Sequence, residues 1–170
     1  MFPTRVFPTG RGLAALIGVV ALLCAGISVK AQDASPFNGI SGTWSGGGDV
    51  NLTDGSHEKV RCKAEYSVPP SGEKLHISMN CASDSFKVQV ISNVVADSSG
   101  GLSGVWRETT RQGEGSVSGR VVGPGQISAS LDGTAYGIQL TVNTRGNQQS
   151  VAIQAQGTDV QSVRISLRRS

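Results

Sequence analysis

From Lys59 to Val68 the chain alternates without a break: Val60, Cys62, Ala64, Tyr66 and Val68 fall on one side, and Lys59, Arg61, Lys63, Glu65 and Ser67 on the other. Successive side chains of an extended backbone point to opposite sides, so a period of two marks a strand with one dry and one wet face. The same alternation returns in short runs down the chain, separated by clusters of Gly, Asp, Ser, Pro and Asn, and no helical periodicity interrupts it. The pattern predicts an all-β fold, an antiparallel up-and-down meander of about ten strands.

Neighbouring strands must also pair with apolar opposite apolar, because a slip of one residue turns every side chain to the wrong face. A turn at Asp54-Gly55 sets Trp44 against Tyr66 and Val50 against Val60. A turn at Pro70-Ser71-Gly72 sets Tyr66 against Ile77, Ala64 against Met79 and Cys62 against Cys81. The Ala82–Ser85 loop then opposes Cys81 and Phe86, and the Asp97–Gly100 turn opposes Val90 and Trp106. Thr110–Gly113 brings Trp106 to Gly119, and Gly123-Pro124-Gly125 brings Val121 to Ile127. Asp132-Gly133, a two-residue type I′ signal, brings Ala129 to Tyr136. Turns at Arg145-Gly146-Asn147 and Gly157-Thr158-Asp159 set Val142 against Val151 and Ile153 against Val163.

A meander has two bare edges unless its first strand meets its last. Closure gives a barrel with the apolar face inside; the alternative is a flattened two-sheet sandwich with the same neighbours. Cys62 and Cys81, a facing pair once the signal is gone, are expected to form a disulfide that staples the second hairpin.

The stretch from Leu13 to Ala31, apolar behind Arg5 and Arg11 and ending in Val29-Lys30-Ala31, reads as an export signal cut after Ala31. It falls short of the roughly twenty apolar residues of a membrane span, so no stable span is expected after its removal. Cys24 leaves with it; a lipidated Cys24 would want a small residue just ahead of it, where Leu23 stands. Residues 1–31 are thus assigned to the signal, 32–38 to a flexible lead-in and 39–170 to a single barrel domain, working in the periplasm or outside the cell. The signal's brevity suggests a bacterial source.

The whole chain holds 15 Lys+Arg against 12 Asp+Glu. Arg5, Arg11 and Lys30 depart with the signal and every acid stays, so the mature domain is neutral. A neutral domain lacks the electrostatic footprint for nucleic acid or an anionic membrane surface. Arg164, Arg168 and Arg169 form the one basic cluster, read as the solvated end of a last strand.

Catalytic signatures are poor. The sequence has no Gly-x-Ser-x-Gly elbow, His-Glu-x-x-His, phosphate loop or Cys-x-x-Cys. Ser56-His57-Glu58-Lys59 and Ser71-Gly72-Glu73-Lys74 fit Ser-x-x-Lys, but both lie in hairpin turns rather than at a helix start. His57 and His76 are placed in a turn and on a wet strand face. Asn51-Leu52-Thr53 matches a glycosylation acceptor and is given no role. No catalytic residue, metal ligand or cofactor is expected.

Gly39-Ile40-Ser41-Gly42-Thr43-Trp44 is echoed by Gly101-Leu102-Ser103-Gly104-Val105-Trp106, with Val117-Ser118-Gly119 a weaker copy. Gly-rich strand starts of this kind suit barrel corners. Gly42-Thr43-Trp44 at the head of a first strand, in a meander whose last strand carries Arg164 and Arg168, resembles the calycin type of barrel, the lipocalins and avidins. There a Gly-x-Trp opens the barrel, and in lipocalins an Arg of the final strand lies over the Trp ring. The resemblance implies that contact between Trp44 and either Arg164 or Arg168. The chain departs from the family in strand number and in lacking a helix after the barrel and a Thr-Asp-Tyr-like turn. No ligand-binding residue carries over.

Glu108 falls in the apolar phase set by Leu102, Gly104 and Trp106, where an unpaired carboxylate is costly. It either reaches water at the end of its strand or anchors the mouth of an internal ligand pocket lined by Trp44, Tyr66, Val90 and Trp106. The expected function is that of an exported, non-catalytic binding or envelope-associated module, for a small apolar ligand or a protein partner. The alternatives are a secreted hydrolase or isomerase with an acid or base in the barrel mouth, and an exported protease inhibitor using a rigid loop such as Val68-Pro69-Pro70-Ser71.

Overall fold

The computed structural model describes residues 35–170; the export-signal stretch and Cys24 lie outside them. Ten strands follow in order: β1 (Gly42–Leu52), β2 (His57–Ser67), β3 (Lys74–Ala82), β4 (Lys87–Ala96), β5 (Gly101–Glu108), β6 (Gly113–Gly123), β7 (Gln126–Gly133), β8 (Gly137–Arg145), β9 (Gln148–Gln156) and β10 (Val160–Arg169). Each pairs antiparallel with its neighbours, and β1 closes on β10, so the fold is a barrel and not a sandwich.

The expected dry face lines the interior: Trp44, Val60, Cys62, Ala64, Tyr66, Leu75, Val94, Leu102, Ile165 and Leu167 are all buried. Outside stand Lys59, Arg61, Lys63 and Glu65, all exposed. A membrane-spanning barrel has the reverse arrangement, with an apolar band facing lipid.

Four junctions have the expected register: Cys62 faces Cys81, Val121 faces Ile127, Val142 faces Val151 and Ile153 faces Val163. The other five hairpins slip from it by an even number of residues, which preserves every face. Trp44 faces Ala64 rather than Tyr66, Cys81 faces Val88 rather than Phe86, and Val90 faces Glu108 rather than Trp106. Trp106 faces Gly115 rather than Gly119, and Ala129 faces Leu140 rather than Tyr136. The slips follow from bonds made inside the turns. Glu108 accepts from the backbone N–H groups of Thr110 (2.7 Å) and Arg111 (2.6 Å), which closes the β5–β6 turn early. Gly133 N donates to Tyr136 O at 3.0 Å, so β7 runs through Asp132-Gly133 instead of turning there.

The seam between β1 and β10 depends on glycine. A Cβ at Gly48 would lie 1.7 Å from the carbonyl oxygen of Arg164, and one at Gly46 would lie 2.0 Å from that of Ser166. Only residues without side chains permit backbones to come this close.

Residues 35–38 are not the flexible lead-in expected. Ser35 Oγ donates to Gly72 O at 2.7 Å, Asn38 N to Ser35 O at 2.8 Å, and Trp44 Nε1 to Ile40 O at 2.8 Å. Phe37 is 1% exposed and Ile40 2%, so this turn is a stopper for the barrel end at the start of β1. Burying two large apolar side chains outweighs the freedom they lose.

The arginine over Trp44 is Arg169, not Arg164 or Arg168, with its guanidinium carbon 4.5 Å from the ring centroid. Side-chain parity explains the correction: Arg169 shares the inward phase of Ile165 and Leu167, while Arg164 and Arg168 point outward. The same guanidinium donates to the carbonyls of Gly39 and Ser41, tying the stopper to β10. The Cys62–Cys81 disulfide is formed, with an S–S distance of 2.09 Å.

Candidate functional site, an internal cavity

The barrel is filled at one end and hollow at the other. Near the stopper the inward side chains Trp44, Leu75, Val94, Ala96, Leu102 and Leu167 are buried. Toward the opposite rim Met79, Val88, Val90, Ile138, Ile153 and Val163 also point inward, yet they are half-exposed. Between lies a cavity of about 480 Å³ with Phe37 and Ile40 in its floor and Phe86, Arg111, Tyr136 and Thr158 at its mouth. Small-molecule sites typically span about 300–1,000 Å³.

Mid-sized side chains cause the hollow. Ten strands set a wide circumference, and the wall offers Val88, Val90, Val142, Ala155 and Val163, none long enough to reach the centre. The bulky indoles are placed elsewhere. Trp44, 0% exposed, lies under Arg169 at the filled end, and Trp106, 4% exposed, lies against the barrel wall. Of the five residues expected to line a pocket, the structure brings Tyr66, Val90 and Glu108 to the cavity surface and leaves Trp44 and Trp106 out of it.

Trp106 lies flat because glycine leaves room for it. Its ring atoms are 3.6 Å from the Cβ position of Gly113 and 3.4 Å from that of Gly133, and Tyr136 packs beside it, ring centroids 5.7 Å apart with the planes tilted by 49°. Trp106 Nε1 is buried without a hydrogen-bond partner and points at Gly115 rather than into the cavity.

Polar groups deep in the cavity satisfy one another. Tyr66 OH donates to Gln149 Oε1 at 2.9 Å, Gln149 Nε2 donates to Thr144 Oγ1 at 3.0 Å, and Ser92 Oγ donates to Val105 O at 2.9 Å. Burial pushes the Tyr66 phenol far above its ordinary range, so it stays protonated. A guest in the deep part therefore meets hydrocarbon and closed hydrogen bonds.

The mouth differs. Glu108 is 9% exposed and lines the cavity. Desolvation works to raise its pKa, but donors from Thr110, Arg111 and Gln89 outweigh that and hold it below its ordinary value, so the carboxylate is ionised. The nearby Tyr136 phenol is pushed up by burial and by the charge of Glu108. Glu58, also in the inward phase at this rim, accepts from Ser85 Oγ and is held low by the hydroxyls of Ser83 and Ser85. Alternation along β2 could have revealed Glu58 as a rim carboxylate, since it shares the phase of Val60 and Cys62.

The two imidazoles are far from this chemistry. His57 Nδ1 bonds Asn51 Oδ1 at 2.8 Å and His76 Nδ1 bonds Asn93 Oδ1 at 2.9 Å, both exposed on the outer wall. Val68–Ser71 occupies the β2–β3 turn at the stoppered end, where Gly72 N donates to Pro69 O at 2.9 Å. The barrel is compatible in architecture with the calycin type, although neither a protein-family model nor a curated protein matches the chain.

Proposed function

We propose that this protein is an exported binding module that holds a small apolar molecule inside its barrel and performs no chemistry on it. The observation that carries the reading is the cavity: about 480 Å³, walled by aliphatic side chains, stoppered at one end by Phe37 and Ile40 and reached from the other. Empty apolar volume of this size forfeits dispersion contacts that a guest restores. The resemblance of Gly42-Thr43-Trp44 to the calycin opening, now with Arg169 over the indole, agrees with such a role. A disulfide fits an oxidising extracellular or periplasmic compartment, in keeping with the signal-like character of residues 1–31.

An acid–base enzyme is less well supported. A general acid near neutral pH needs a raised carboxyl pKa, whereas Glu108 is lowered and engaged by three backbone N–H groups. Both histidines face away from the cavity.

Native mass spectrometry of protein isolated from the exported fraction, followed by titration with the neutral fluorophore N-phenyl-1-naphthylamine, tests the proposal. The expected result is one bound apolar molecule per chain, lost in Val90→Trp, whose indole occupies the hollow. A protein that binds no apolar compound, and that Val90→Trp leaves unchanged in every binding assay, overturns it.

A further inference from the structure

The charges of the barrel are sorted by end. Three of the five mouth turns carry aspartates, Asp54, Asp84 and Asp159, and a fourth is flanked by Asp132; all four side chains are exposed and none is in an ion pair. The fifth turn carries Arg111, beside the ionised Glu108 in the cavity wall; of the other cations near this end, Lys59 is paired with Asp49 and Arg107 with Glu114, and Lys87 opens β4. At the stoppered end the balance reverses, with Lys74, Arg120, Arg145, Arg168 and Arg169 facing Glu65, Glu73 and Asp97. A domain with no net charge is therefore a dipole whose negative pole surrounds the entrance.

We infer that the cavity selects an apolar molecule whose polar end is a hydrogen-bond donor without negative charge, an amine above all, seated at the mouth beside Glu108. The inference rests on the cavity-binding reading and specifies its ligand class. Glu108 is the built element: a carboxylate nine-tenths buried, on the cavity surface, held by the backbone N–H groups of Thr110, Arg111 and Gln89 and by the Thr110 side chain. Oε2 accepts from Arg111 N, and a carboxylate oxygen has lone-pair capacity for a further donor. A carboxylate head would lose its water beside that oxygen and inside a ring of aspartates, where low-dielectric walls strengthen repulsion. Arg111, exposed at the mouth, offsets one of these charges and leaves the aspartates in excess. Below the mouth no free polar group competes for the head, because Tyr66, Gln149 and Thr144 are bonded together. The apolar tail goes down and the head stays at the rim.

The test displaces N-phenyl-1-naphthylamine from the full mature chain with decylamine, decanol and decanoate at pH 7.5, each below its micelle concentration, in low and high salt. Decylamine should bind about tenfold or more tightly than decanoate in low salt, with decanol between and the gap narrowing in high salt. The Asp132→Asn, Asp159→Asn double variant should narrow it in low salt, and Glu108→Gln, which can still accept from the turn, should reduce decylamine affinity selectively. Decanoate binding as tightly as decylamine, or a ranking insensitive to salt and to these variants, overturns the head-group assignment and leaves the cavity reading standing. If the fluorophore and all three competitors fail to bind, the cavity reading itself falls and takes this inference with it.

Discussion

The guanidinium of Arg169 lies 4.5 Å above the centre of the Trp44 ring and simultaneously donates to the carbonyls of Gly39 and Ser41. One side chain of β10 thus holds the first strand and the stopper. A cation–π contact contributes about 0.5–2 kcal/mol, and partly exposed charged hydrogen bonds add modestly. Arg169→Ala should cost about 2 kcal/mol in urea unfolding, while Arg168→Ala, whose side chain points to solvent, should stay within about 0.5 kcal/mol. Equal effects for the two would remove the latch from the account.

The β1–β10 seam gives a sharper test. A methyl group at Gly48 has nowhere to go, since the Arg164 carbonyl occupies its place. Gly48→Ala should therefore destabilise by about 3 kcal/mol, in the range of overpacking strain. Ser45→Ala in the same strand should change little, and a thermal melt of each variant makes the comparison.

Removing the Cys62–Cys81 bridge should lower stability by about 3 kcal/mol through the freed unfolded chain, as expected for a loop with a sequence separation of 19. The paired Cys62→Ala, Cys81→Ala variant should keep the same far-ultraviolet circular dichroism and the same fluorophore binding. Loss of the β spectrum would mean that the bridge specifies the fold instead of bracing it.

Acid should loosen the domain. Glu108 is held below 4.5 because donors from Thr110, Arg111 and Gln89 overcome its desolvation, and Asp97 is held below 3.8, chiefly by the Ser99 hydroxyl and the Gly101 N–H. For groups depressed in the folded state, the unfolded chain takes up protons first as pH falls. The stabilisation is thus complete above these ordinary values and is lost as pH drops through the lower folded ones. Melting temperature should be flat from neutrality to about pH 5 and fall below that, with a shallower fall in Glu108→Gln.

Filling the stopper's place with less should open the cup. Phe37→Ala removes a ring that is 1% exposed and should cost about 3 kcal/mol. It should also admit solvent at the closed end, weakening N-phenyl-1-naphthylamine binding in the same titration.

How far the residues announced this structure depends on what each pattern encodes. Parity was legible throughout, because Val60, Cys62, Ala64 and Tyr66 can share a dry face in only one phase, and closure followed from the need to cover two edges. Register was less so. Alternation is blind to shifts of two or four, and the turns are placed by side-chain bonds, Glu108 to Thr110 and Arg111, that no periodicity reveals. Parity also contained the right arginine, since Arg169 continues the phase of Ile165 and Leu167. Phe37, an apolar residue beside Pro36, falls in a stretch that reads as a loose lead-in because nothing local says what it covers. The Gly46-Gly47-Gly48 run marks a close backbone approach, but composition alone does not say which strand comes near. At the site, phase brings Glu108 to the cavity surface, whereas large rings suggest a pocket wall even when glycines let Trp106 lie aside and Arg169 and the Ile40 carbonyl hold Trp44 at the filled end.

The latch between Arg169 and Ser41 spans 128 positions, and it shapes how the molecule comes into being. A nascent chain can join its stopper to Trp44 of β1 and to Gly72 of the β2–β3 turn, but the Arg169 latch must wait until β10 has emerged. Until then nine paired strands form an open trough, greasy along its whole inner surface and with both margins unpaired. Distant pairings of this sort form slowly, so the inner surface stays uncovered until the last strand arrives, and the cup is complete only when its rim is sewn shut.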